Sequence, residues 1–215
     1  MSAGYEVVTL ADLERHPNPN DPTALLMPLR YHLGLRAFGA NCWTAEVGER
    51  IVPLHSEESG DEELYVVVSG RATFTVDGRT VDAPAGTLVH VDPGEVREAT
   101  AEEEGTIVLA VGATPGEAFE ARGWDEVTVA FGRARAGQVA AGRALLEQVA
   151  ARHDNEWQAD YNRACFEAQF GDRAAAFDHL RNALAHAPEE VRRYARTDDD
   201  LAPLRDDSRW QEAVE

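Results

Sequence analysis

Residues able to do covalent chemistry are scarce in this chain of 215 residues, and the usual arrangements are missing. All 20 basic residues are arginine, so no lysine exists for a Schiff base or a phosphate-binding loop. Cys42 and Cys165 belong to no CxxC pair or Cys/His cluster, which argues against a disulfide framework and a zinc finger. There is no Gly-x-Ser-x-Gly, no Walker sequence and no Gly-x-Gly-x-x-Gly before a helix. Cys165 follows Asp160-Tyr161-Asn162 in a helical pattern, where a buried thiol is inert. What remains is a stretch bearing imidazole and carboxylates: His55, the run Glu57-Glu58 and Asp61-Glu62-Glu63, and the lone His90. These are the residue types that ligate metals or move protons. The bland reading stands beside that one: an acidic run is usually a solvated loop. A single strand histidine is more often a satisfied core or surface residue. Trp43, Tyr65 and Phe74 could line a small apolar pocket, or simply fill a core.

The elements that must position these residues change character near residue 125. Residues 1–33 read as an N-terminal extension, with a short helix at Ala11–Arg15 and a loop from His16 to Pro22, where three prolines forbid regular structure. Residues 34–125 read as β: Leu35–Val47, Glu63–Val68, Ala72–Val76, Thr80–Asp82, Thr87–Val91, Glu95–Thr100 and Thr106–Gly112. Asp77-Gly78 is a hairpin signal. Short strands at this spacing predict an antiparallel sandwich or barrel. Leu64–Val68 and Ile107–Val111 are apolar at every position, so their outer face should be covered by a partner subunit or by C-terminal helices. Residues 126–215 are helical, with Asp198–Leu204 as a polar turn and a last helix at Arg209–Val214 capped by Ser208.

Charge narrows the partners. The chain carries 39 acidic against 20 basic residues, for a net charge of −19. Nucleic acid and anionic membrane surfaces both require a basic footprint that is not there. No apolar run approaches the length of a membrane span, and no secretory leader opens the sequence, so a cytoplasmic protein is expected.

The helical region shows a period of 34: Gly137 aligns with Gly171, Ala141 with Ala175, Leu146 with Leu180 and Val149 with Ala183. With Trp157, Tyr161, Ala164, Phe166 and Pro188 in place, residues 137–188 resemble a tetratricopeptide (TPR) unit. Only one full repeat and one preceding helix are visible, too few for a continuous solenoid core, so this region should pack on a barrel or on another chain.

His55–Ala101 resembles the cupin superfamily, small antiparallel β-barrels or jelly rolls with two motifs lining one mouth. In the first motif, Gly48 precedes His55-Ser56-Glu57 in place of His-x-His, and six residues separate Glu63 from Gly70. The second motif fits two registers, one from Gly78 through Pro84-x-Gly86 and one from Gly86 through Asp92-x-Gly94. The latter leaves 15 residues after Gly70 for a hairpin and puts Arg97 where the family has histidine. By this resemblance the fold is mainly β plus α, a cupin barrel with a TPR-like helical tail. The ligand pocket is expected to hold His55, Glu57, Glu63, Arg97, Tyr65 and His90.

The resemblance implies a metal site with two of its histidines lost. His55, Glu57 and Glu63 could still hold Zn, Fe, Mn or Ni weakly. Arg97 cannot ligate a metal, and could instead bridge to Glu57 or Glu63. Three functions follow. A binding or regulatory module would hold a small organic acid, with Arg97 on its carboxylate and His55 adding a hydrogen bond. A metal-dependent enzyme, such as a dioxygenase or isomerase, would use His55, Glu57 and Glu63. An interaction protein would form a homodimer through the barrel and take a protein partner on the TPR-like helices. The first is the leading expectation.

Overall fold

The computed structural model describes residues 7–18, 21–57, 59–121, 123–153 and 156–214. Glu58 of the acidic run and Pro19-Asn20 of the expected loop lie outside the described residues. The chain divides into two compact units, Met1–Thr128 and Val129–Glu215.

The first unit is built from β1 (His16–Pro17), β2 (Leu25–Met27), α1 (Leu29–Leu33), β3 (Gly39–Thr44), β4 (Arg50–His55), β5 (Glu62–Ser69), β6 (Arg71–Val76), β7 (Arg79–Pro84), β8 (Leu88–Val91), β9 (Arg97–Ala101) and β10 (Ile107–Ala113). One antiparallel sheet has six strands in the order β1-β2-β3-β10-β5-β8, and the other has four in the order β4-β9-β6-β7. The β6–β7 hairpin turns at Asp77 (φ 46°) and Gly78 (φ 73°), two left-handed residues whose twist suits a two-residue connection. The inner faces of both sheets close one core that includes Trp43, Ile51, Tyr65, Val67, Phe74 and Val108. Period-two alternation sends Glu63, Tyr65 and Val67 of β5 inward, and Leu64 and Val68 outward, where they are exposed.

Several elements differ from the expectation. His16–Pro17 is a strand and not loop: it pairs with Leu25 and Leu26 at the sheet edge, where a proline costs no ladder hydrogen bond. The N-terminal segment therefore contributes two strands and α1 to the same unit. Arg50–His55 forms an additional strand that tolerates Pro53 because β4 is an edge with an irregular register. The expected helix at Ala11–Arg15 is a single 3-10 turn at Leu10–Asp12, closed by Asp12 accepting from the Thr9 backbone and hydroxyl. The apolar outer side of β3 and β10 is covered from an unanticipated direction. Leu13 and Met27 pack with Cys42, and Val8, Leu10, Leu29, Ile107 and Leu109 join them, so the N-terminal segment is the cover here.

α2 (Trp124–Arg135) spans the division between the units. The second unit continues with α3 (Val139–Arg152), α4 (Trp157–Phe170), α5 (Arg173–His186), α6 (Pro188–Ala195), a 3-10 stretch at Asp199–Leu204 and α7 (Ser208–Val214). Asp172 caps α5 by accepting from the Ala174 N–H at 2.7 Å, directly after Gly171 ends α4. Glu167 ties this corner together, accepting from Arg143 of α3 and from the Asp172 N–H at 3.1 Å. Cys165 is buried beside Asp198, and Tyr161 donates to the same carboxylate at 2.8 Å. Among the described residues no helix is long and apolar enough to cross a membrane.

Candidate functional site

His55 ends β4 and Arg97 begins β9, and the two are cross-strand partners. Glu63 and Tyr65 reach the same region from the inward face of β5. Gly112 of β10 makes room for Glu63: a Cβ there would stand 3.1 Å from the Glu63 Cγ. The four side chains meet on one oxygen. Arg97 donates to Glu63 Oε2 from Nη2 at 2.7 Å and from Nε at 3.1 Å. The Tyr65 hydroxyl donates to that oxygen as well. Arg97 Nη1 is held by the Glu95 carbonyl at 2.7 Å. Arg97 is wholly buried, at 0% exposure, so an unpaired carboxylate opposite it would be costly.

His55 approaches from the other side. Its Nδ1 lies 2.6 Å from the Pro53 carbonyl and must donate to it. Its Nε2 lies 3.5 Å from Glu63 Oε2 and 3.6 Å from Glu57 Oε1. Burial by itself would lower the His55 pKa. The Glu63 carboxylate and the Pro53 carbonyl overcome that and raise it above its ordinary value. Glu63 moves the opposite way. Burial would raise it, but His55, Tyr65 and Arg97 together hold it below the usual carboxylate range. Burial, then the Glu63 charge, keeps the Tyr65 phenol protonated. With His55 protonated, Glu57, Glu63, His55 and Arg97 sum to zero charge.

One donor atom each from His55, Glu57 and Glu63 lie within 4.8 Å of one another, so a group able in number to hold a cation is present. Its chemistry fits a resident divalent metal poorly. Glu63 Oε2 already accepts from Arg97 and Tyr65, which leaves it little electron density to give. The Arg97 guanidinium, hydrogen-bonded to that oxygen at 2.7 Å, repels a further cation. His55 Nε2 faces both carboxylates, and a divalent ion there would compete with a proton for that nitrogen.

The cluster opens on a cavity of about 540 Å³ enclosed by residues of the first unit alone. His55, Glu57, Glu63 and Tyr65 line it. Arg97 and His90 do not. Arg97, expected to pair a ligand's carboxylate, is buried behind Glu63, with Nε and Nη2 on Glu63 and Nη1 on the Glu95 carbonyl. His90 is directly opposite Leu64 on the outer face of β8, exposed, with Nε2 3.3 Å from Glu62. The alternation that sends Glu63 inward sends His90 out.

Of the aromatic residues expected to line a pocket or fill a core, Trp43 joins Tyr65 on the wall and Phe74 is in the core; the rest of the lining was not anticipated. Arg30 of α1 donates from Nε to Asp125 Oδ2 at 2.6 Å, and its Nη2 is 2.8 Å from Glu126 Oε2. Both carboxylates are buried, and burial raises Asp125 despite the Arg30 contact. No local pattern links residues 95 apart. Trp43 and Trp124 form a tilted pair with centroids 6.0 Å apart, and Phe119 joins them on the wall. Asn41 was overlooked although it carries a signal: an amide two residues before Trp43, on the same inward face of β3.

Residues 41–112 match the family model described as "Cupin domain". No curated protein matches the chain. Among solved structures, a cupin protein from Bacteroides fragilis is 20% identical, with a TM-score of 0.42, over 56% of this chain and 92% of that one. A predicted oxalate decarboxylase from Thermotoga maritima is 22% identical, with a TM-score of 0.42, over 51% and 99%. A sugar phosphate isomerase from a cupin superfamily, from Silicibacter pomeroyi, is 20% identical, with a TM-score of 0.43, over 51% and 77%. The match to the cupin-domain model lies within the first unit.

Proposed function

We propose that the cupin domain is a small-molecule-binding module that holds its ligand without a resident metal. One observation carries this reading: the carboxylate that would anchor a metal, Glu63, is already satisfied by Arg97 and Tyr65 on the same oxygen. What is left for a ligand is the cavity beside the cluster, whose volume of about 540 Å³ suits a small molecule. We read the α4–α5 pair as one TPR-like unit, supported by the Gly171 turn and by Pro188 opening α6. In this reading the barrel binds and the helices contact a protein partner.

The test is the metal content of protein purified without a His tag or chelator, beside His55→Ala. Sub-stoichiometric metal in both, and no thermal shift on adding Zn, Fe, Mn or Ni, is the expected result. About one divalent ion per chain, lost in His55→Ala, would overturn the proposal in favour of the His55/Glu57/Glu63 metal site and direct assays toward enzymatic chemistry.

A further inference from the structure

Among the described residues, every polar contact of the Glu63 side chain falls on Oε2, where Arg97, Tyr65 and His55 all meet it. Oε1 is left over, on a side chain that is 15% exposed and lines the cavity. Asn41 lines the cavity from the other side. Its Oδ1 is buried and has no hydrogen-bond partner, so the end of the amide left to the cavity is Nδ2, a donor. Arg30, on the same wall, spends Nε and Nη2 on Asp125 and Glu126 and keeps Nη1.

The sheet sets the distance between these groups. Asn41 of β3 is opposite Ala110 of β10, which is opposite Tyr65 of β5. Gly39, Gly112 and Glu63 form the neighbouring row. β3 and β5 are two strand spacings apart, about 9–10 Å. The floor between them is Ala110 and Gly112, whose small side chains leave the space above β10 open. Trp43, on the inward face of β3, and Trp124 add aromatic surface beside it.

A ligand that bridges this gap needs an acceptor toward Asn41 and a donor toward Glu63, on different atoms. A ketone or ester lacks the donor, and an ammonium lacks the acceptor. A carboxylate sets like charge against Glu63. A secondary amide is neutral and has both groups, and in its ordinary trans form the C=O and N–H point in opposite directions. Resting on the reading of the barrel as a metal-free binding module, we infer that the cavity takes a neutral secondary amide, with its carbonyl accepting from Asn41 and Arg30 and its N–H donating to Glu63 Oε1.

The full-length protein is titrated with N-benzylacetamide and three compounds of the same size: benzyl acetate, N-ethylbenzylammonium chloride and sodium 4-phenylbutyrate. Ionic strength is held constant, and binding is read by calorimetry and by Tm. The amide is expected to bind about tenfold more tightly than the ester, which is the worth of an N–H donated to a carboxylate. It should also bind more tightly than either ion. Asn41→Leu should weaken the amide and the ester alike, by about fivefold, because both use the carbonyl. If Asn41→Leu does not fold, the order of the four compounds on the wild type decides.

No binding of the amide, ester binding as tight as the amide's, tighter binding of either ion, or unchanged amide affinity in folded Asn41→Leu overturns the inference. Binding of another of the four compounds in its place leaves the metal-free binding reading standing. About one divalent ion per chain in the same preparation overturns that reading, and the inference with it.

Discussion

Arg97 Nη2 and Glu63 Oε2 lie 2.7 Å apart across β9 and β5, with the guanidinium fully buried and the carboxylate side chain 15% exposed. This pair joins a strand of the four-stranded sheet to one of the six-stranded sheet beside the cavity. It consumes the glutamate and the cation together and leaves His55 to balance Glu57.

Removing one member should cost far more than removing both. Arg97→Met leaves Glu63 facing Tyr65 and His55 without its main counter-charge, and is expected to lower stability by about 3 kcal/mol. Arg97→Met with Glu63→Gln removes the stranded charge and should recover part of that loss. Urea unfolding of both variants decides it. A double variant less stable than Arg97→Met would show that the two residues do not act as a pair.

His55 and Glu63 set opposite limits on the pH range of stability. The folded His55 value is raised above its ordinary 6.5, so folding favours the proton. Its stabilisation is complete below about pH 6.5 and is lost as pH rises through the raised value. The folded Glu63 value is lowered from 4.5, so its contribution is present above that pH and fades as pH falls through the lowered value. The Tm of the wild type should therefore decline above neutrality, and His55→Gln should flatten that part of the profile. Parallel profiles for the two proteins would exclude His55 as the group responsible.

Arg97→His should raise the affinity for a divalent metal. Residue 97 is the cross-strand partner of His55, so an imidazole there would add a ligand while removing the cation and releasing Glu63 Oε2. Metal analysis after incubation with Zn is expected to show uptake in Arg97→His and not in wild type. Equal uptake by the two would mean that Arg97 does not control the site.

In the helical unit, Gly142→Ala should destabilise although it improves helix propensity by about 1 kcal/mol. A Cβ at this position of α3 would stand 2.5 Å from the Ala130 carbonyl and 3.0 Å from the Phe166 ring. Overpacking of this kind costs about 1–3 kcal/mol, so the net change is a loss. Thermal unfolding of the variant checks it, and a raised Tm would refute the close packing of α2, α3 and α4.

Local signals in the sequence were enough for the central strands, because period-two alternation, Gly-Pro punctuation and Asp77-Gly78 act over a few residues. They also pointed to His55, Glu57 and Glu63, through a motif that survives in short spacing. Elements that depend on a partner were hidden. Leu25–Met27 and His16–Pro17 are too short to signal a strand and exist because β3 offers an edge to pair with. Pro53 disguised β4, which is stable only as the edge of a sheet formed by residues from Arg71 onward.

Side-chain direction followed the same division. The residue types offered carboxylates, two candidate histidines at His55 and His90, and Arg97, and no lysine or nucleophile motif. The direction Arg97 faces was not legible there, because it depends on the β4–β9 register and on how the sheet carrying β5 closes over it, and a one-residue slip inverts every side chain. Asn41, Trp124 and the Arg30–Asp125 pair converge only after the sheet closes. Charge and hydrogen-bonding capacity belong to the chain itself. Which of those groups satisfy one another, and which remain for a ligand, is decided by burial, since only in the folded interior does an unmet charge cost enough to select its partner.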